Sequence, residues 1–196
     1  MSIKDKIKEF KNSQNYWIGL LRDFLFVISV VAIFASVSYI SLGRWSPAVA
    51  VESESMSPHM QVGDIIFVQS IDRTQIITYN KGKQIDYKTF DNYGDVILYK
   101  KCGKEGVTPI IHRAMAYVET GEPMWSGGPP APYSGYITKG DNNNLLDVQW
   151  NICHGQPGNT SEGRPVKKEW VIGAARFYRV PILGYITFIP RKTLGI

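Results

Sequence analysis

Two serines one residue apart, Ser53 and Ser55, stand in a stretch that also holds Met56, Pro58, Gly63 and Asp64. Pro58 fixes its own φ and biases Ser57 toward extended backbone, so the turn is stiff. Gly63-Asp64 is a turn signal ahead of the strand-like run 65–68. A serine on a stiff turn at a strand edge can present its hydroxyl to a cleft and attack a carbonyl, although serine and proline also serve as plain turn residues. The hydroxyl alone is a weak nucleophile and needs a base. Three histidines are available. His59 is four residues from Ser55, across Pro58, an awkward reach. His112 lies in an apolar strand-like run and is followed by Arg113; a lone histidine in a strand is more often structural. His154 sits in a polar loop with Gly155 and Pro157, a solvated setting. Acyl transfer also needs donors aimed at the tetrahedral oxyanion. The backbone N–H of Ser55 is one candidate, and the hydroxyl of Ser53, on the same side of an extended segment, is another.

Residues 53–64 resemble the Ser-x-Ser-Met-x-Pro-Thr-Leu-x-x-Gly-Asp box of the type I signal peptidases, with His59-Met60 in place of Thr-Leu. Gly94-Asp95-Val96-Ile97 is similar to a second piece of that family. Ile110-Ile111-His112-Arg113 looks like the box of the archaeal and endoplasmic-reticulum branch, in which a histidine stands where the bacterial branch has lysine. Lys139-Gly140-Asp141-Asn142-Asn143-Asn144-Leu145-Leu146-Asp147 resembles the Gly-Asp-Asn-Asn…Asp segment. With the apolar run before them, these boxes cover residues 24–147.

The resemblance implies a Ser-His enzyme: Ser55 as nucleophile, His112 as general base, Asp147 to orient it, Ser53 at the oxyanion and Asp141 as a supporting carboxylate. Spacing alone leaves open which aspartate faces His112, and residues 141–144 also read as a plain turn of Asp and Asn bonding local backbone. The implied activity is removal of N-terminal signal peptides from secretory preproteins, cleaving after small residues. No metal or organic cofactor is implied. Endoplasmic-reticulum relatives imply accessory subunits; archaeal relatives do not require them. Two rivals stand beside this reading. One is a Ser-Lys mechanism using Lys100, Lys101 or Lys104, which would need a desolvated lysine. The other is a catalytically inert membrane-anchored binding or scaffold module.

The elements that must carry these residues follow from charge and hydropathy. Residues 24–42 hold no charged side chain over 19 positions. As a helix they span roughly 28 Å, close to the hydrocarbon thickness of a bilayer. Tyr16 and Trp17 at one end and Tyr39 and Trp45 near the other fit an aromatic belt. The run exceeds the apolar core of a cleaved signal peptide, so an uncleaved anchor is expected. Of the net charge of +5, residues 1–22 contribute +3 through Lys4, Lys6, Lys8, Lys11 and Arg22 against Asp5 and Glu9. The basic excess therefore sits beside the apolar run, and no nucleic-acid patch is expected. Basic residues ahead of the run place the N-terminus in the cytoplasm and the rest outside. The lipid bilayer is thus the first partner, and Ile3, Ile7 and Phe10 suggest a helix lying on it, a frayed tail being the alternative.

This gives a cytoplasmic basic segment 1–22, a transmembrane anchor 23–43 and an extracytoplasmic β-rich peptidase domain 44–196. The expected fold is mainly β: an antiparallel sheet with irregular loops behind one transmembrane helix. Strand signals fall at 65–68, 94–99, 110–118, 136–139, 170–173 and 174–178, with a turn at 79–82 and no useful helical periodicity past residue 45. Residues 180–189 are apolar but too short to span as a helix; a lip dipping into the outer leaflet is expected, a buried terminal strand being the alternative. Cys102 and Cys153 lie in the domain placed outside, where a disulfide can form, and Asn159-Thr160-Ser161 is a glycosylation-type sequon.

Overall fold

The computed structural model describes residues 2–150 and 163–180 of the chain. Helix α1 (Ile3–Asn12) starts with the backbone N–H of Ser2 donating to the Asp5 carboxylate at 3.0 Å. Helix α2 (Tyr16–Leu42) has 27 residues, which at 1.5 Å each is about 40 Å. It begins ahead of the uncharged run because Asn15 caps it, accepting from the Trp17 N–H at 3.0 Å. Arg22 reaches back to the Lys11 carbonyl at 2.6 Å. Inside α2 the hydroxyls of Ser29, Ser36 and Ser41 donate to carbonyls one turn back at 2.7–2.8 Å. These three hydroxyls are thereby satisfied within the helix, as a hydrocarbon environment demands, and Ser38 donates to the Arg44 carbonyl just past its end at 2.7 Å. Gly43 ends the helix in the left-handed region at φ 70°, its N–H on the Tyr39 carbonyl. Apart from Ser38 and Leu42, the side chains of α2 are not buried, and the helix is long and apolar enough to cross a membrane.

Beyond α2 the chain forms a six-stranded antiparallel sheet. Its strands are β1 (Ala48–Ala50), β2 (Ile65–Ser70), β5 (Val96–Tyr99), β6 (Ile110–Val118), β7 (Gly135–Lys139) and β8 (Val171–Val180). The order is β1-β2-β8-β5-β6-β7. Strand β8, late in the chain, therefore lies between the early hairpin β1–β2 and the strands β5–β6–β7 and joins them. Between β2 and β5 come helix α3 (Tyr79–Ile85) and the small hairpin β3 (Lys88–Thr89) and β4 (Asn92–Tyr93); α4 (Asp147–Trp150) follows β7.

The expected antiparallel fold is present, with differences in detail. The turn expected at 79–82 is the first part of α3, capped by Thr78. A seven-residue helix is too short to show periodicity, and it is held by packing instead. Gly82 and Gly94 make that packing feasible. A Cβ on Gly82 would meet the Gly94 nitrogen at 2.6 Å, and one on Gly94, whose φ is +73°, would meet the Tyr79 nitrogen at 2.4 Å. The two late strand signals are one strand, β8, because Gly173 lies against the Gln69 carbonyl and continues the ladder rather than breaking it.

The core lies on both faces of the sheet. One cluster joins Val51, Met56, Met60, Ile66, Val96 and Ala175, packed by Phe90 and Ile111. Another joins Ile97, Tyr99, Ala114, Tyr136, Val166 and Val171. Met56 and Met60 are fully buried. They flank the turn that carries Ser55 and anchor it from below, each contributing about 1.5–3 kcal/mol by burial. His154, Cys153, Asn159 and residues 181–189 lie outside the described residues. Cys102 is disulfide-bonded.

Candidate active site

Ser55 sits in a single 3₁₀ turn, Glu54–Met56, between the end of β1 and the start of β2. Its Oγ lies 3.0 Å from His112 Nε2. The ring's other nitrogen, Nδ1, is 2.6 Å from Asp147 Oδ2. A carboxylate oxygen can only accept here, so Nδ1 carries the proton and Nε2 presents a lone pair to the Ser55 hydroxyl. The three side chains form one unbroken hydrogen-bonded chain. His112 is 8% exposed and Asp147 3%, while Ser55 is half-buried at the mouth. Ser53, exposed, brings its Oγ within 3.1 Å of Ser55 Oγ.

Strand parity separates the two aspartates. His112 and Arg113 are consecutive on β6, so their side chains leave opposite faces. His112 shares its face with Tyr99 and Thr138, and there it meets Asp147 at the start of α4. Arg113 takes Asp141 in a two-point pair, Nε to Oδ1 at 2.8 Å and Nη2 to Oδ2 at 2.7 Å. Its Nη1 donates to the carbonyls of Thr89, Asn92, Tyr93 and Gly94 at 2.8–3.3 Å. Arg113 is wholly buried, and this ring of acceptors is what makes a buried guanidinium tolerable. Asp141 is thus spent on Arg113, and Asp147 is the carboxylate on the imidazole.

Asp147 is itself held. Tyr99 OH donates to its Oδ2 at 3.0 Å and Thr138 Oγ1 at 2.6 Å. Burial first, and then the Asp147 charge, push the Tyr99 hydroxyl well above its ordinary range, against a smaller opposing pull from Thr138. Tyr99 therefore stays protonated and remains a donor. Neither residue was singled out by sequence reasoning. Tyr99 closes an apolar strand and Thr138 stands in another, and nothing local marks either as a partner of Asp147.

Loop 140–142 braces the Ser55 backbone. Asn142 N–H donates to the Ser55 carbonyl at 2.8 Å, and its side-chain amide reaches the Glu54 carbonyl at 3.2 Å. A Cβ at Gly140 would stand 2.6 Å from the Ser55 oxygen. Chemically, the arrangement can pass a serine proton to an imidazole while the resulting imidazolium faces an anion.

The sequence has relatives that carry a name. It is 30% identical over 156 residues to "Signal peptidase complex catalytic subunit SEC11" of Paracoccidioides brasiliensis (strain Pb03), covering 74% of this chain and 66% of that protein. The chain belongs to the signal peptidase family, of the endoplasmic-reticulum type. The Aspergillus oryzae protein of the same name is 29% identical over 150 residues, covering 74% of this chain and 65% of that one. The protein of Talaromyces marneffei is 28% identical over 178 residues, covering 88% and 80%. The chain spans just under two thirds of the length of the first two relatives, 66% and 65%. No family model matches it.

Set beside the signal peptidase boxes, one departure has a visible consequence. His59, standing where the resembling box has Thr, places Nδ1 2.8 Å from Asp141 Oδ2. The structure places this competing candidate base elsewhere: its ring is on Asp141, and the imidazole on Ser55 is that of His112. Lys100, one of the lysines a Ser-Lys mechanism would use, pairs with Glu105.

Proposed function

We propose that this chain is a membrane-bound serine endopeptidase that removes N-terminal signal peptides from secretory preproteins, cleaving after small residues. The observation that carries the reading is the unbroken chain from Ser55 Oγ through His112 to Asp147. Its relatives, named as catalytic subunits, point the same way.

Ser55 Oγ attacks the scissile carbonyl carbon as its proton moves to His112 Nε2. The tetrahedral oxyanion is met by the Ser55 N–H and the Ser53 hydroxyl, which lies beside Ser55 Oγ at 3.1 Å. Collapse expels the leaving amine, which takes the proton from His112, and leaves the preceding segment as an ester on Ser55. Water then gives its proton to His112 and attacks the ester. The acid product leaves as Ser55 recovers its proton. Asp147 stays ionised throughout, fixing the tautomer and stabilising the imidazolium.

Residues 1–22 lie in the cytoplasm, 23–43 form the anchor and 44–196 lie across the membrane, as the basic flank directs. Anchoring places enzyme and membrane-bound precursor on one surface, which raises their effective concentration. Because the named relatives are subunits of a complex, accessory subunits are proposed to bind this chain as well.

The test is cleavage of a preprotein by the full chain in membranes, with the new N-terminus sequenced. Wild type is expected to cut once, after a small residue, and Ser55→Ala at equal expression to leave the precursor intact. A Ser55→Ala protein that cuts normally, or cleavage within the mature region, contradicts the reading.

A further inference from the structure

His59 is tied to the same brace as Ser55. Residues 54–59 lie against residues 140–142 and are fastened at two places. At one end Asn142 N–H holds the Ser55 carbonyl at 2.8 Å, with its side-chain amide on the Glu54 carbonyl. At the other, His59 Nδ1 holds Asp141 Oδ2 at 2.8 Å. Between them the chain turns through Pro58, and Met60 N–H bonds the Met56 carbonyl at 3.0 Å. The receiving end is rigid: Asp141 is only 4% exposed in its side chain and is fixed from behind by the two-point contact of Arg113.

The other end of the contact is the turn itself. Ser53 and Glu54 are exposed and Ser55 is half-buried, while the buried side chains of Met56 and Met60 anchor the segment from below. We infer that His59 is a positioning residue that staples the far side of the Ser55 turn to Asp141 and so keeps Ser55 Oγ within reach of His112 Nε2. The inference rests on Ser55 being the nucleophile. It assigns His59 no contact with substrate. The Nδ1–H tautomer is dictated by the carboxylate it faces, and the energetic lever is geometric: a misplacement of about 1 Å at a reacting atom costs on the order of 10²-fold in rate.

The experiment uses the full chain in membranes with a preprotein substrate and four variants: His59→Leu, His59→Ala, His59→Asn and Ser55→Ala. Leu keeps bulk without a donor, Ala is the smaller change, and Asn places an N–H close to where Nδ1 stands. His59→Leu and His59→Ala are expected to lower kcat by about 10- to 100-fold with KM within about twofold. His59→Asn should recover to within a few-fold of wild type. Hydrogen exchange of the Asn142 amide, read on the same proteins, should speed up in Leu and Ala and not in Asn. Wild-type kcat in both Leu and Ala overturns the inference, as does Asn being as impaired as Leu, or an effect confined to KM. Ser55→Ala separates the two readings. If it still cleaves, the nucleophile assignment fails, while unchanged Asn142 exchange in the Leu and Ala variants independently sinks the staple.

Discussion

His112 and Arg113 are neighbours on β6 and each takes a different aspartate: His112 Nδ1 is 2.6 Å from Asp147, and Arg113 grips Asp141 with two nitrogens at 2.7–2.8 Å. The two carboxylates of one sequence segment are thereby divided between an imidazole and a guanidinium. Opposite faces of a strand do the dividing.

Substituting each aspartate should therefore give different losses. Asp147→Asn presents the wrong hydrogen-bonding pattern to Nδ1, and kcat for preprotein cleavage should fall by about 10³–10⁴-fold. Asp141→Asn leaves Arg113 charged, buried and without its anion, which costs about 3–5 kcal/mol of stability. Thermal unfolding measured beside steady-state cleavage distinguishes them. Asp147→Asn is expected to unfold near the wild-type temperature and Asp141→Asn well below it.

Tyr99→Phe keeps the ring and removes the hydroxyl from Asp147. Loss of a hydrogen bond to a charged group is worth about 1.5–3 kcal/mol, so kcat/KM is expected to fall roughly 10- to 100-fold. The same change has a pH signature. Burial first, and then Asp147, raise the folded-state ionisation of Tyr99 above its unfolded value of 10.0. A raised folded value means the native state holds the proton more tightly. That contribution is full below about pH 10 and is lost as pH rises through the folded value. Unfolding free energy measured from pH 9 to 12 should drop less steeply in Tyr99→Phe than in wild type.

Gly140→Ala tests the brace on Ser55. The added methyl would stand 2.6 Å from the Ser55 carbonyl oxygen, so the turn must shift. A kcat lower by about 10²-fold is expected, with the precursor still bound. Single-turnover cleavage at saturating substrate reads this directly.

Much of this was legible in the sequence, for physical reasons. An uncharged run of 19 residues is a global signal, and α2 follows from it. Strands β5, β6 and β7 each carry a local apolar run, so an antiparallel fold was readable. The position of β8 between β2 and β5 was not, because strand pairing across more than a hundred residues leaves no local mark. Ser55, His112 and Asp147 were readable through their boxes. The choice between Asp141 and Asp147 needed strand parity and the path of the loop after β7, which spacing does not contain. Tyr99, Thr138 and the His59 pairing were missed because each is an ordinary residue made special only by what the fold sets opposite it.

A charge in the middle of α2 should disturb membrane residence without touching the site. Ile33→Arg puts a guanidinium among exposed apolar side chains, at a cost of about 2.5–3.5 kcal/mol for insertion at a helix centre. Carbonate extraction of membranes should release more of this variant than of wild type.

The most direct measurement of the central claim is kcat/KM for preprotein cleavage by Ser55→Ala, His112→Ala and the double variant. Residues that act as one unit are not additive when removed. Each single variant is expected to fall to the background rate, and the double variant to fall no further. A His112→Ala protein that cleaves near the wild-type rate, or losses that multiply in the double variant, would contradict the Ser55–His112 relay.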